Sequence, residues 1–149
     1  MDIEQSALNL IKVYLAQTDS ALKISKILSE HSTDKILNGD CIIAGLVYRL
    51  MTPMSQEEIT ESLQNANELM NDDGDTDDYT DDDIDDDIDD DIINEEKEKK
   101  IKTNQCNCEI CSDVRVCLCN FHNHECVDEL SQKFKDSIEF TCNKYKITI

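Results

Sequence analysis

Eight potential metal ligands crowd into 21 residues near the C-terminus: Cys106, Cys108, Cys111, Cys117, Cys119, His122, His124 and Cys126. So short a stretch has little apolar surface with which to fold alone, and soft ligands at this density point to a bound ion as its source of cohesion. Two half-sites repeat with an offset of 11 residues. Cys106-x-Cys108-x2-Cys111 is echoed by Cys117-x-Cys119-x2-His122. A two-residue spacer lets a turn bring two side chains to one ion. The simplest site pairs Cys108 and Cys111 with two of Cys119, His122 and Cys126, and a ninth candidate just beyond, Cys142, brings the ligand count to one that also permits two ions. The expected cofactor is therefore zinc, one or two ions, in a structural role. Disulfides and an iron–sulfur cluster are the alternatives for the same thiols.

The spacings match neither a retroviral-type zinc knuckle nor a two-Cys two-His finger. No HExxH, no HxE…CxxC deaminase pattern, no P-loop and no GxGxxG occurs, so the sequence names no reaction. The segment also lacks the cations and aromatics of a zinc module that grips nucleic acid. Arg115 is its only cation before Lys133, and Phe121 is the sole aromatic before Phe134. Protein contact is favoured over DNA contact.

Charge divides the chain. The net charge is −20, and residues 71–91 hold 14 of the 34 acidic side chains with no Lys or Arg among them. Three tandem Asp-Asp-Asp-Ile units end at Ile84, Ile88 and Ile92. Asp is a poor helix former and adjacent like charges repel, so this tract is expected to be disordered when free. A polyanion repels nucleic-acid backbones and anionic membranes and favours basic protein partners. Residues 94–102 read as a short helix inside a mixed-charge linker.

Residues 3–70 carry helical periodicity. Ile3, Ala7, Ile11, Tyr14 and Leu15 define a first stripe, and Asp19 or Ser20 is positioned to cap a second helix with Leu22, Ile24, Ile27 and Leu28. Thr33-Asp34 begins a third segment, interrupted at Asn38-Gly39-Asp40. Cys41–Met51 is apolar nearly all round, as a central helix would be, and Gly45 would let a neighbouring helix approach closely. After Pro53, Ser55 and Glu58 form a capping-box pattern before Ile59, Leu63, Ala66 and Met70. His31 follows a helical stretch and is read as a partner of that helix's C-terminal end. Cys41 is read as a small buried hydrophobe.

After the cluster, Val127, Leu130, Phe134 and Ile138 suggest a helix. The tail 138–149 alternates like a short β-hairpin, and the two readings compete at Ile138. The fold class expected is mainly α: a small helical bundle over 1–70, an Asp-rich linker over 71–105, and a zinc-stapled unit over 106–149 with a helix and a β-hairpin. A bundle of that size calls for a partner or a homo-oligomer interface. The N-terminus lacks a signal-peptide pattern, and the longest apolar run, 41–51, is too short to span a bilayer. An intracellular setting, cytoplasmic or nuclear, follows as the expectation.

The stretch GLVYRLMTPMSQEEITESL (45–63) and the step CNCEIC (106–111) resemble small acidic, Cys-rich proteins of giant nucleocytoplasmic DNA viruses, whose Ile-, Asn-, Lys- and Asp-rich composition is also similar. That resemblance covers two short stretches. It implies a host-cytoplasm, viral-factory or virion setting and supplies no catalytic residues. Two functions are carried forward from the sequence. The first is a non-enzymatic zinc-binding scaffold whose acidic tract recruits basic partners. The second is an accessory factor of transcription or nucleic-acid metabolism that uses the zinc unit.

Overall fold

The computed structural model describes residues 2–71 and 98–149. The Asp-Asp-Asp-Ile repeats, and residues 94–97 of the expected linker helix, lie outside the described residues. Five α-helices dominate the described residues: α1 (Ile3–Glu30), α2 (Gly39–Met51), α3 (Gln56–Asn71), α4 (Glu109–Asn120) and α5 (Glu129–Lys144). Two short strands, β1 (Lys99–Lys100) and β2 (Ile147–Thr148), complete the fold.

α1 runs unbroken for 28 residues, so the helix start expected at Asp19 or Ser20 does not occur. No Gly or Pro interrupts residues 3–30, and Ala16, Ser20, Ile24 and Leu28 recur every four residues as one buried line. Burying that line outweighs the local capping preference of Ser20, which is 3 % exposed. Asp19 instead lies 3.4 Å from Lys23 and accepts from Asn65 of α3.

The segment expected to turn helical at Thr33-Asp34 is a loop. Ser32 and Asp34 bond to one another, Ser32 Oγ accepts from the backbone of Lys35, and Asp34 accepts from that of Ile36. Such side chain-to-backbone bonds compete with the helical ladder. Asn38 then caps α2 by accepting from the Cys41 N–H at 3.0 Å. At the start of α3 the capping box closes as its sequence predicts: Ser55 N–H donates to Glu58 Oε2 at 2.9 Å, and Glu58 N–H to Ser55 Oγ at 3.2 Å.

α2 is the central element and packs against α1, α4 and α5. Gly45 permits the tight crossing with α1. A Cβ there would meet Ser25 Oγ and the Ala21 carbonyl oxygen, the latter at 2.5 Å. Ile24 and Leu28 of α1, Ile43, Ala44 and Val47 of α2, Val114 and Leu118 of α4, Phe121, and Phe134, Ile138 and Cys142 of α5 form one continuous core. Residues 1–70 and 106–149 thus share an apolar interior, and the C-terminal segment finds on α2 the surface it lacks by itself.

The tail differs from the sequence expectation. The residues around Ile138, Phe140 and Cys142 belong to α5, because Leu130, Phe134, Ile138 and Cys142 recur every four residues and the last three are buried. No hairpin forms there. β2 pairs in parallel with β1, with Lys99 opposite Ile147 and Lys100 opposite Thr148. Two residues of the expected 94–102 helix, Lys99 and Lys100, are therefore strand. Val127, assigned to the apolar stripe, precedes the helix and is exposed.

Candidate metal centre

Four side chains converge where the end of α1 meets the start of α4: His31, Cys106, Cys108 and Cys111. Their ligand atoms all lie within 4.8 Å of one another. His31 Nδ1 is 3.4 Å from Cys106 Sγ, 3.3 Å from Cys108 Sγ and 3.4 Å from Cys111 Sγ.

Local structure accounts for each position. His31 is the C-cap of α1, and its N–H donates to the Ile27 carbonyl at 3.1 Å. His31 thus stands at a helix end, as its sequence context predicts, but its ring reaches the thiols rather than serving that helix end alone. Cys108 is the N-cap of α4, its sulfur accepting from the Cys111 N–H at 3.5 Å. Three residues on, Cys111 projects from the first helical turn on the same side. Cys106 lies in the extended approach to the helix, where the Cys108 N–H points at its sulfur at 3.5 Å.

Asn104 ties this arrangement to α1. Its amide donates to Cys111 Sγ at 3.4 Å and to the Leu28 carbonyl at 3.0 Å, while its side-chain oxygen accepts from the Cys106 N–H at 3.2 Å. Arg115 bonds the Asn104 carbonyl at 3.0 Å and holds a positive charge nearby. Amide donors around sulfur favour the thiolate form that binds metals. The Cys111 N–H, with further bonds from Cys111, Cys106 and His31, lowers Cys108 to about 6. Burial, with Cys111 only 1 % exposed, pushes Cys111 up to about 11. Cys108 thus gives up its proton readily and Cys111 does not, a difference that an ion bound to both thiolates removes. These four residues can hold a metal ion.

The remaining ligands proposed from sequence are not gathered in this way. Cys117 is half-buried with Thr52 Oγ1 at 3.7 Å, and burial raises its pKa. Cys119 is exposed on the far end of α4. His122 stacks edge-on against Phe121 in the 3-10 turn Phe121–Asn123. His124 lends its carbonyl to Lys135 Nζ at 2.8 Å, and Cys126 is half-buried with its pKa raised by burial.

Helix geometry explains the split. The first half-site straddles a helix start, where extended chain and first turn can fold onto one point. The second lies inside α4 and just beyond it, so Cys117 and Cys119 point to roughly opposite sides. Eleven residues of helix also separate Cys108 from Cys119 by about 16 Å, far beyond the reach of one ion. Among the described residues no second group of three such ligands forms. Missing from the sequence reading were His31 and Asn104. The available signal was chemical rather than positional: a CxCxxC step supplies three ligands and leaves a tetrahedral ion one short.

No helix among the described residues is long and apolar enough to cross a membrane. Comparison with protein-family models, with characterised proteins and with solved structures gave no match.

Proposed function

We propose that this chain is a non-enzymatic zinc-binding interaction protein in which one structural ion, held by His31, Cys106, Cys108 and Cys111, locks the C-terminal helices onto α1 and so fixes the two ends between which the acidic tract is strung. The observation that carries the reading is the convergence of three thiols and one imidazole nitrogen. Zinc bonds of ~2.3 Å to sulfur and ~2.0 Å to nitrogen at tetrahedral angles set S and N ligand atoms about 3.5 Å apart. The S···N distances of 3.3, 3.4 and 3.4 Å fit that spacing. A Cys3His set fills all four positions with protein and leaves none for a reacting water, which favours a structural over a catalytic ion.

The acidic tract supplies the interaction. Residues 71–91 carry 14 Asp and no cation, a charge density that draws basic protein partners through long-range, salt-sensitive attraction. Two measurements test the reading. Metal analysis of protein purified without oxidation should find one zinc per chain, lost in the His31→Ala variant. Affinity for a polylysine peptide should fall steeply with added salt and vanish when the Asp residues of 72–91 are replaced by Asn. Absence of bound zinc removes the structural part, and undiminished binding after Asp→Asn replacement removes the recruiting part.

A further inference from the structure

We infer that the outward face of α1 is an interface with α1 of a second copy of this chain, in antiparallel pairing. Thirteen large hydrophobic side chains are exposed among the described residues, and six of them, Ile3, Leu8, Leu10, Ile11, Val13 and Leu22, lie on α1. Three of these, Leu8, Ile11 and Leu22, form a regular seam with the half-buried Leu15 and Thr18. Leu8, Ile11, Leu15, Thr18 and Leu22 recur at spacings of 3, 4, 3 and 4, the a/d pattern by which one helix packs along another. Among the described residues, α1 meets its neighbours beside this line rather than along it. Ala21 and Ser25 face Gly45 of α2, while Asp19 and Lys23 face Asn65 and Glu61 of α3. Leu8, Ile11 and Leu22 remain 42 %, 48 % and 44 % exposed.

The occupant follows from charge and shape. The chain carries −20, yet α1 itself holds three Lys and three acidic residues and is neutral. Two copies can therefore meet here without the repulsion that their overall charge imposes elsewhere. An antiparallel pair centred on Leu15 sets Leu8 against Leu22 in both directions, so the seam is complementary to itself under a two-fold axis. The same register brings Lys12 of each copy beside Asp19 of the other, an opposite-charge pair on the flank of the seam. Its length, 15 residues or about 21 Å of helix, buries on the order of 1,000 Å2 in all, the lower end of specific interfaces.

Sedimentation of the full zinc-loaded chain between about 1 and 200 µM tests this. The expected result is a shift from the 17.0 kDa monomer to twice that mass. The Ile11→Lys, Leu22→Lys double variant should raise the dissociation constant at least ~100-fold while helicity and zinc content stay unchanged. Phe140→Lys, at an exposed apolar residue on α5, should dimerise like the parent. A photo-crosslinking residue at position 8 should link to residues near 22. A parent protein that stays monomeric, a dimer indifferent to the double variant, dissociation by Phe140→Lys instead, or crosslinks confined to position 8 each overturns the inference.

Discussion

His31 Nδ1 and Cys108 Sγ lie 3.3 Å apart although 77 positions separate them in the chain. The pair joins the C-terminal end of one helix to the N-terminal end of another, so an ion placed between them crosslinks the two halves of the core. Replacing His31 by Ala should weaken zinc binding at least ~100-fold and lower the thermal midpoint, whereas His31→Cys, which restores a four-ligand set, should keep the ion. Cys117→Ser with Cys119→Ser should leave one zinc per chain. Inductively coupled plasma mass spectrometry on the three variants decides the ligand set, and loss of zinc from the Cys117/Cys119 variant would assign the ion to the second half-site.

Cys108 and Cys111 should differ sharply in the metal-free, reduced protein. Backbone and thiol donors hold Cys108 near 6, so at pH 7 its thiolate dominates, whereas burial keeps Cys111, raised to about 11, protonated. Iodoacetamide should label Cys108 first, at a rate that levels off by about pH 7, while an ordinary thiol keeps accelerating through about pH 8.5. Zinc should protect both. Peptide mapping of a labelling time course reads the order, and fastest labelling at Cys111 would contradict it.

Much of this architecture is legible in the sequence where periodicity and capping agree. Asn38, the Ser55–Glu58 box and the apolar run 41–51 mark real helix boundaries and the real central helix. Periodicity misleads where a long-range partner settles the outcome. Ser20 looks like a cap until its burial within α1 is known. The tail alternates like a strand until Phe134, Ile138 and Cys142 are seen to share one buried helical face. The metal centre divides along the same line. Cys106, Cys108 and Cys111 are close in sequence and their spacing is informative. His31 joins them only through the packing of α1 against α4, and no local pattern encodes a separation of 75 to 80 residues.

Asp128 gives α5 a pH-dependent start. Its carboxylate accepts from the Ser131 N–H at 2.6 Å, and that bond holds its pKa below the ordinary carboxylate range. Folding therefore favours the charged form. The cap's contribution is complete above the unfolded Asp value, about 3.9, and is lost as pH falls through the lower folded value. Asp128→Asn retains a neutral acceptor and should flatten this part of the acid limb, while Asp128→Ala should lower stability at neutral pH as well. Urea titrations between about pH 3 and 7 compare the three; an identical acid limb in Asp128→Asn and parent would show that other carboxylates govern it.

Gly45 sets how closely α2 can approach α1, and through α2 the position of both α4 and α5. A methyl group at this position meets the Ala21 carbonyl oxygen at 2.5 Å and the Ser25 backbone nitrogen at 3.1 Å, besides the Ser25 hydroxyl. The hydroxyl can rotate away, but the carbonyl belongs to the α1 ladder and can yield only if the helices separate. Alanine would ordinarily stabilise a helix interior by up to about 1 kcal/mol relative to glycine. Here the strain of overpacking, typically about 1–3 kcal/mol, opposes that gain, and contact with backbone places Gly45→Ala toward the upper part of that range. Separating α1 from α2 would also draw His31 away from the thiols on α4. The variant should therefore lose zinc affinity together with stability, although Gly45 touches none of the four ligands. Paired Ser25→Ala should not rescue it, since the carbonyl remains. Chemical denaturation and competitive zinc titration of the single and double variants measure both effects, and a Gly45→Ala protein as stable as the parent would show that the helices pack less tightly than these distances state.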